Sequence, residues 1–111
     1  MCYANITVVN LKKTPAGPRG VFVGRGSPLG NPFPTRVKAD RQKVITRYKN
    51  WLLRKYEEGD GSIHKELAKL VRMAKEPEGV QLRCYCKPLD CHGDVIKELV
   101  EALIQLEQEE A

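Results

Sequence analysis

The sequence predicts a small α/β fold: a Rossmann-like sandwich with a mostly parallel sheet of three to four strands and helices packed on it. Three observations point there. Short β-branched runs and longer segments of helical period follow one another in the order β-β-α-α-β-α. Helices come after strands, which calls for crossover connections and so for parallel pairing. Two unusual loops, at 24–33 and 87–94, each follow a strand, which is where open α/β sheets bind ligands.

The first strand is read over Tyr3 to Leu11 (YANITVVNL), β-branched and partly alternating. Two prolines and two glycines make Lys12 to Gly20 a loop. Val21 to Val23 is a short buried strand. It runs into Gly24-Arg25-Gly26-Ser27-Pro28-Leu29-Gly30-Asn31-Pro32-Phe33-Pro34, whose glycines and prolines fix an unusual backbone path. Asp40 is a suitable N-cap for a helix that carries Val44, Ile45, Tyr48, Leu52 and Tyr56 on one side. Arg41, Lys43, Arg47, Lys49, Arg54 and Lys55 supply most of its polar surface. Gly59-Asp60-Gly61 ends that helix, and Ser62 caps a second one bearing Ile63, Leu67, Leu70 and Val71. Pro77 and Gly79 close it. Val80 to Cys86 is the third strand. The last helix runs from Gly93 to about Glu107, with Val95, Ile96, Leu99, Val100, Leu103 and Leu106 inward.

A chain of 111 residues is expected to form a single domain, 1–111, with one modest core. Apolar content of 41% and charged content of 30% fit a small globule and exclude a membrane-embedded one. No apolar stretch approaches the roughly 20 residues of a membrane span, and the N-terminus lacks the basic head and apolar run of a signal peptide. A cytoplasmic location, in the host cytoplasm if the protein is viral, is the expectation. Four cysteines without an export signal then suit free thiols, metal ligation or catalysis better than disulfides.

Charge is divided unevenly. Residues 1–56 hold twelve Lys/Arg against Asp40 alone, whereas residues 57–111 hold seven basic and thirteen acidic side chains. A basic half beside an acidic half suits a polyanionic ligand, and it equally suits solvated helix faces. Weak, salt-sensitive nucleic-acid binding is the most this pattern supports, because no aromatic stacking platform accompanies the basic residues.

Leu82 to Asp94 concentrates three of the four cysteines and one of the two histidines where a strand gives way to a helix. Cys91, His92 and Gly93 fall at the helix start, where unpaired amides and the positive end of the dipole attract anions. A thiol there is acidified and more nucleophilic. His92 could serve as general base, and Asp94 could act on the cap or the ligand. These three, Cys91, His92 and Asp94, are the candidates for chemistry. Zinc is the alternative: Cys84, Cys86, Cys91 and His92 are four suitable ligands, though C-x-C-x4-C-H is not the spacing of paired zinc knuckles. Cys84 and Cys86 also suit plain burial on a strand. No resident cofactor is expected.

The 24–33 loop lacks the Gly-Lys-Ser/Thr of a phosphate loop and the G-x-G-x-x-G spacing of a dinucleotide site. It still offers groups suited to phosphate or sugar. Gly24, Arg25, Gly26, Ser27 and Asn31, with Lys87 and Gly93 across the site, are the candidate ligand-binding residues. A rigid connector with Leu29 and Phe33 on the core is the plainer reading.

The run Val21 to Phe33, the Tyr48…Trp51-Leu52 helix and the run Cys84-Tyr85-Cys86-Lys87-Pro88-Leu89-Asp90-Cys91-His92-Gly93-Asp94 together resemble the domain-of-unknown-function family numbered 4326. The closing motif is also similar to the Cys-His-Arg ending of a second uncharacterised family, numbered 488, with Gly93 in place of the arginine. The resemblance implies a Rossmann-like fold and a phage or bacterial setting, and it reinforces the choice of site residues. It implies no reaction. The function expected from the residues is binding or processing of a nucleotide, nucleoside or nucleotide-sugar, by hydrolysis or glycosyl transfer if there is a reaction. The alternatives are a nucleic-acid-binding accessory protein that uses helix 41–55, and a zinc-stabilised module without catalysis.

Overall fold

Strand β3, Val80–Cys84, organises the molecule. In the computed structural model, which describes residues 5–10, 12, 19–24, 27–30, 32, 41–84 and 92–110, it lies between β1 (Ile6–Asn10) and β2 (Gly20–Phe22). Both pairings are parallel. Ile6 stands opposite Val80 and Asn10 opposite Cys84, while Val21 meets Leu82 and Phe22 meets Arg83. All three strands therefore end at one edge of the sheet. Helices α1 (Arg41–Glu57), α2 (Gly61–Lys75) and α3 (His92–Glu110) complete an α/β fold.

The period-2 pattern of β3 decides which face is packed. Val80, Leu82 and Cys84 are buried and Gln81 and Arg83 are half-buried. The buried positions join Ile6, Val21 and Val23 in one core with Tyr48 and Leu52 of α1, Ile63, Leu67, Leu70, Val71 and Ala74 of α2, and Val95, Ile96, Val100 and Ile104 of α3. A Rossmann-like sheet carries helices on both faces. Here the opposite face, bearing Thr7, Arg83 and Phe22, is not buried among the described residues, and Phe22 is 43% exposed.

Several boundaries differ from the sequence reading for local reasons. Asp60, not Ser62, caps α2: its carboxylate accepts the Ile63 N–H at 3.1 Å. Gly59, at φ 83°, makes the turn out of α1. Helix α3 begins at His92 and continues to Glu110, past the expected end. Leu106 is half exposed, and Ile104, which the apolar pattern did not single out, is fully buried. The proposed cap at Asp40 and the strand residues Tyr3, Leu11 and Cys86 lie outside the described residues, as does Phe33. No described helix is long and apolar enough to cross a membrane.

Candidate functional site

The site is built where β2 and β3 end. Beyond β2, the carbonyl of Gly24 accepts from both the N–H and the hydroxyl of Ser27, at 3.1 and 2.6 Å, and the carbonyl of Ser27 accepts the Gly30 N–H at 2.9 Å. The loop thus closes on itself in two steps, which carry Leu29 into the core with no exposure. The Ser27 hydroxyl proton is committed to this turn, so Ser27 offers a ligand only its lone pairs.

Two side chains distant in sequence fix the loop. Tyr48, fully buried on α1, donates its phenolic proton to the Leu29 carbonyl at 2.6 Å. His92, the first residue of α3 and 93% buried, donates from Nε2 to the carbonyl of Val23. The acceptor is a carbonyl, so Nε2 carries a proton, and in the neutral ring Nδ1 keeps the lone pair. The two rings also meet edge to face, with centroids 5.1 Å apart at 75°. A single cluster of Tyr48 and His92 therefore joins α1, the 24–30 loop and the start of α3.

Helix α3 contributes its N-terminus. The first N–H groups of a helix have no carbonyl one turn back to accept them, and they carry partial positive charge. Gly93 is buried in this turn and Asp94 is half-buried.

Of the expected site residues, Gly24, Ser27, His92, Gly93 and Asp94 are described. The His92–Val23 bond brings the end of β2 and the start of α3 to one place. Arg25, Gly26, Asn31, Lys87 and Cys91 lie outside the described residues. For the zinc alternative, Cys84 is 1% exposed within the apolar core and His92 has Nε2 on a carbonyl, while Cys86 and Cys91 are not described. No group of three metal-ligating side chains occurs among the described residues. Tyr48 was read from the sequence only as an apolar-face residue. The available signal was chemical: a tyrosine buried on a helix needs a partner for its hydroxyl.

The opposite edge of the sheet explains one of the basic residues. Arg19 donates to the carbonyls of Gly79 and Met73 at 2.8 and 3.3 Å and pairs with Glu76 at 2.8 Å. That guanidinium is a structural clamp, not part of a polyanion surface. Helix α1 keeps Lys43, Arg47, Lys49 and Arg54 exposed.

A sequence model of the family described as Domain of unknown function (DUF4326) matches residues 9–102. The chain is also 29% identical over 86 residues to an uncharacterized 12.4 kDa protein in the nrdA-td intergenic region of Enterobacteria phage T4, covering 77% of this chain and 70% of that one. No solved structure matches. The chain belongs to the DUF4326 family.

Proposed function

We propose that this member of the DUF4326 family binds a nucleotide, nucleoside or nucleotide-sugar at the C-terminal edge of its sheet, the phosphate-bearing ones by their phosphate. The observation that carries the reading is the joining of the 24–30 loop to the α3 N-terminus through His92 and Tyr48. In an open parallel sheet this edge is the ligand edge, because the helix starts and the post-strand loops face each other there. The phosphate lies against the α3 amides. Arg25, Asn31 and Lys87, placed by sequence on the two flanking loops, add charge and hydrogen bonds.

Within this reading His92 is first a positioning residue, since its N–H is spent on the Val23 carbonyl. If the bound ligand is also processed, by hydrolysis or glycosyl transfer, Nδ1 is the nitrogen left to take a proton, with Cys91 and Asp94 as its neighbours in sequence. The setting is cytoplasmic, where such ligands are dissolved.

The test is a thermal-shift screen followed by calorimetric titration with inorganic phosphate, ribose 5-phosphate, nucleoside mono- and diphosphates and nucleotide-sugars. A ligand at 100 times its Kd stabilises the folded state by about 2.7 kcal/mol, enough for a clear rise in Tm. Silence across the panel at millimolar concentrations, together with tight binding of single-stranded nucleic acid that weakens steeply with salt, would transfer the function to the exposed cations of α1.

A further inference from the structure

We propose that the outer face of the α1–α3 layer docks a second copy of this chain, about a twofold axis that lays each α1 on the partner's α3. The two helices run side by side in the same direction. The Tyr48 ring meets the His92 ring, Lys49 and Leu53 line one cleft of about 200 Å3 with Glu98 and Leu99, and Tyr56 lies level with Leu103 and Leu106. Helix α3 bears two apolar stripes. Ile96, Val100 and Ile104 are buried in the core. Leu99, Ala102, Leu103 and Leu106 recur at helical spacing on the adjoining face, and none of them is buried; Leu106 is 51% exposed. On α1, Leu53 is 36% exposed at the shared cleft.

Scattered apolar side chains on a surface need no partner. Charge is what names the occupant here. Helix α1 carries six basic side chains and one acidic, whereas α3 carries one basic and six acidic. The side chains of Lys43, Arg47, Lys49, Arg54 and Glu98 form no ion pair among the described residues. A polyanion that suits α1 is repelled by α3, and a polycation that suits α3 is repelled by α1. A second copy suits both. Identical chains pair most often about a twofold axis. An axis across the helices would set α1 on α1 and α3 on α3, like charge on like. An axis along them sets opposite charges together, with Lys49 level with the partner's Glu98, because both residues line the cleft at one height. Leu53 then meets the partner's Leu99 near the axis. Two helices about 25 Å long and about 10 Å apart present roughly 500 Å2 per protomer, the low end for a specific interface. Association should therefore be weak, at micromolar concentration or above, and sensitive to salt.

The experiment is sedimentation equilibrium of the full chain over a range of concentrations, at about 0.1 M and about 1 M salt, between which the screening length falls from about 10 to about 3 Å. Wild type should form dimers that weaken at the higher salt. Lys49→Glu and Glu98→Lys should each weaken the dimer by roughly 10- to 50-fold, since each turns two attractive contacts repulsive. An equimolar mixture of these two variants should recover near wild-type affinity, because both contacts in the mixed dimer are attractive. Damage to the fold could not produce that recovery. Leu53→Glu sets a charge beside the axis and should leave the chain monomeric, with Tm measured to confirm folding. A wild type that stays monomeric up to millimolar concentration at the lower salt overturns the proposal. So does a dimer that the three variants leave intact, or one that mixing fails to restore. Nucleic-acid binding through α1 by a chain that stays monomeric would overturn it too, and would give the α1 cations another partner.

Discussion

The two edges of the sheet are held by different means. At the N-terminal edge the backbone is locked directly. Asn5 donates its N–H to Ala74 and its side-chain amide to Pro77, both at 2.8 Å, and accepts from Val80 at 2.9 Å, while Arg19 closes the turn between α2 and β3. At the C-terminal edge the 24–30 loop is moored by the tips of two side chains, Tyr48 from α1 and His92 from α3. The first arrangement ties strand starts and the α2–β3 turn together through backbone groups. The second fixes the loop from the core side. On the proposed function, stability is concentrated at one edge and binding at the other, so each should be open to separate disturbance.

The largest effect belongs to the N-terminal edge. Gly79 sits at φ 66°, and a Cβ there would overlap the carbonyl oxygen of Asn5. Neither obstacle can relax, because one is backbone conformation and the other is a backbone atom in a strand pairing. Gly79→Ala should cost roughly 2–5 kcal/mol, combining left-handed strain with overpacking. Urea unfolding would measure it. Ligand affinity of the folded protein should be unchanged. A joint loss of stability and affinity would mean that the edges are coupled.

His92→Ala should come next, at roughly 2–3 kcal/mol, since it strands the buried Val23 carbonyl and opens a gap beside Tyr48. Gln carries an N–H at comparable reach, so His92→Gln should recover stability to within about 1 kcal/mol of wild type. Binding should recover with it if His92 only positions the loop, and turnover, where a reaction is found, should not recover if Nδ1 moves a proton. Tyr48→Phe removes one buried hydrogen bond and keeps the ring. About 1–2 kcal/mol should be lost, and faster amide exchange at Gly30 would show that the loop has loosened.

The contrast between edges also explains what the sequence disclosed. Strands and helices were legible because their cores follow period: Val80, Leu82 and Cys84 alternate, and Ile63, Leu67, Leu70 and Val71 repeat at helical spacing. Parallel pairing followed from element order. That the residues after β2 and the start of α3 lie at one edge was legible for the same reason, since both follow parallel strands. The mooring itself was not. Nothing in the sequence between Leu29 and Tyr48, 19 positions apart, or between Val23 and His92, 69 apart, reveals which carbonyl a buried hydroxyl or imidazole will find, because those pairings exist only once the layers have packed. Arg19 was hidden similarly: charge counting treats a clamp and a solvated cation alike. Phe22 escaped notice because three apolar residues in a row look like a buried strand, and only the register shows that the middle one faces outward.

The smallest stability effect should come from Gly24→Ala, and it separates the two edges best. Like Gly79, Gly24 has no room for a Cβ. Unlike Gly79, it has no positive φ, so alanine meets no backbone penalty there. The obstacle is also different in kind: the far end of the Phe22 side chain, a residue 43% exposed, rather than a backbone atom. Stability should fall by less than about 1 kcal/mol, as expected for a surface rearrangement. A thermal melt decides the matter. If Gly24→Ala destabilises the protein as much as Gly79→Ala does, the C-terminal edge is as rigidly built as the N-terminal one, and the division of labour between them is wrong.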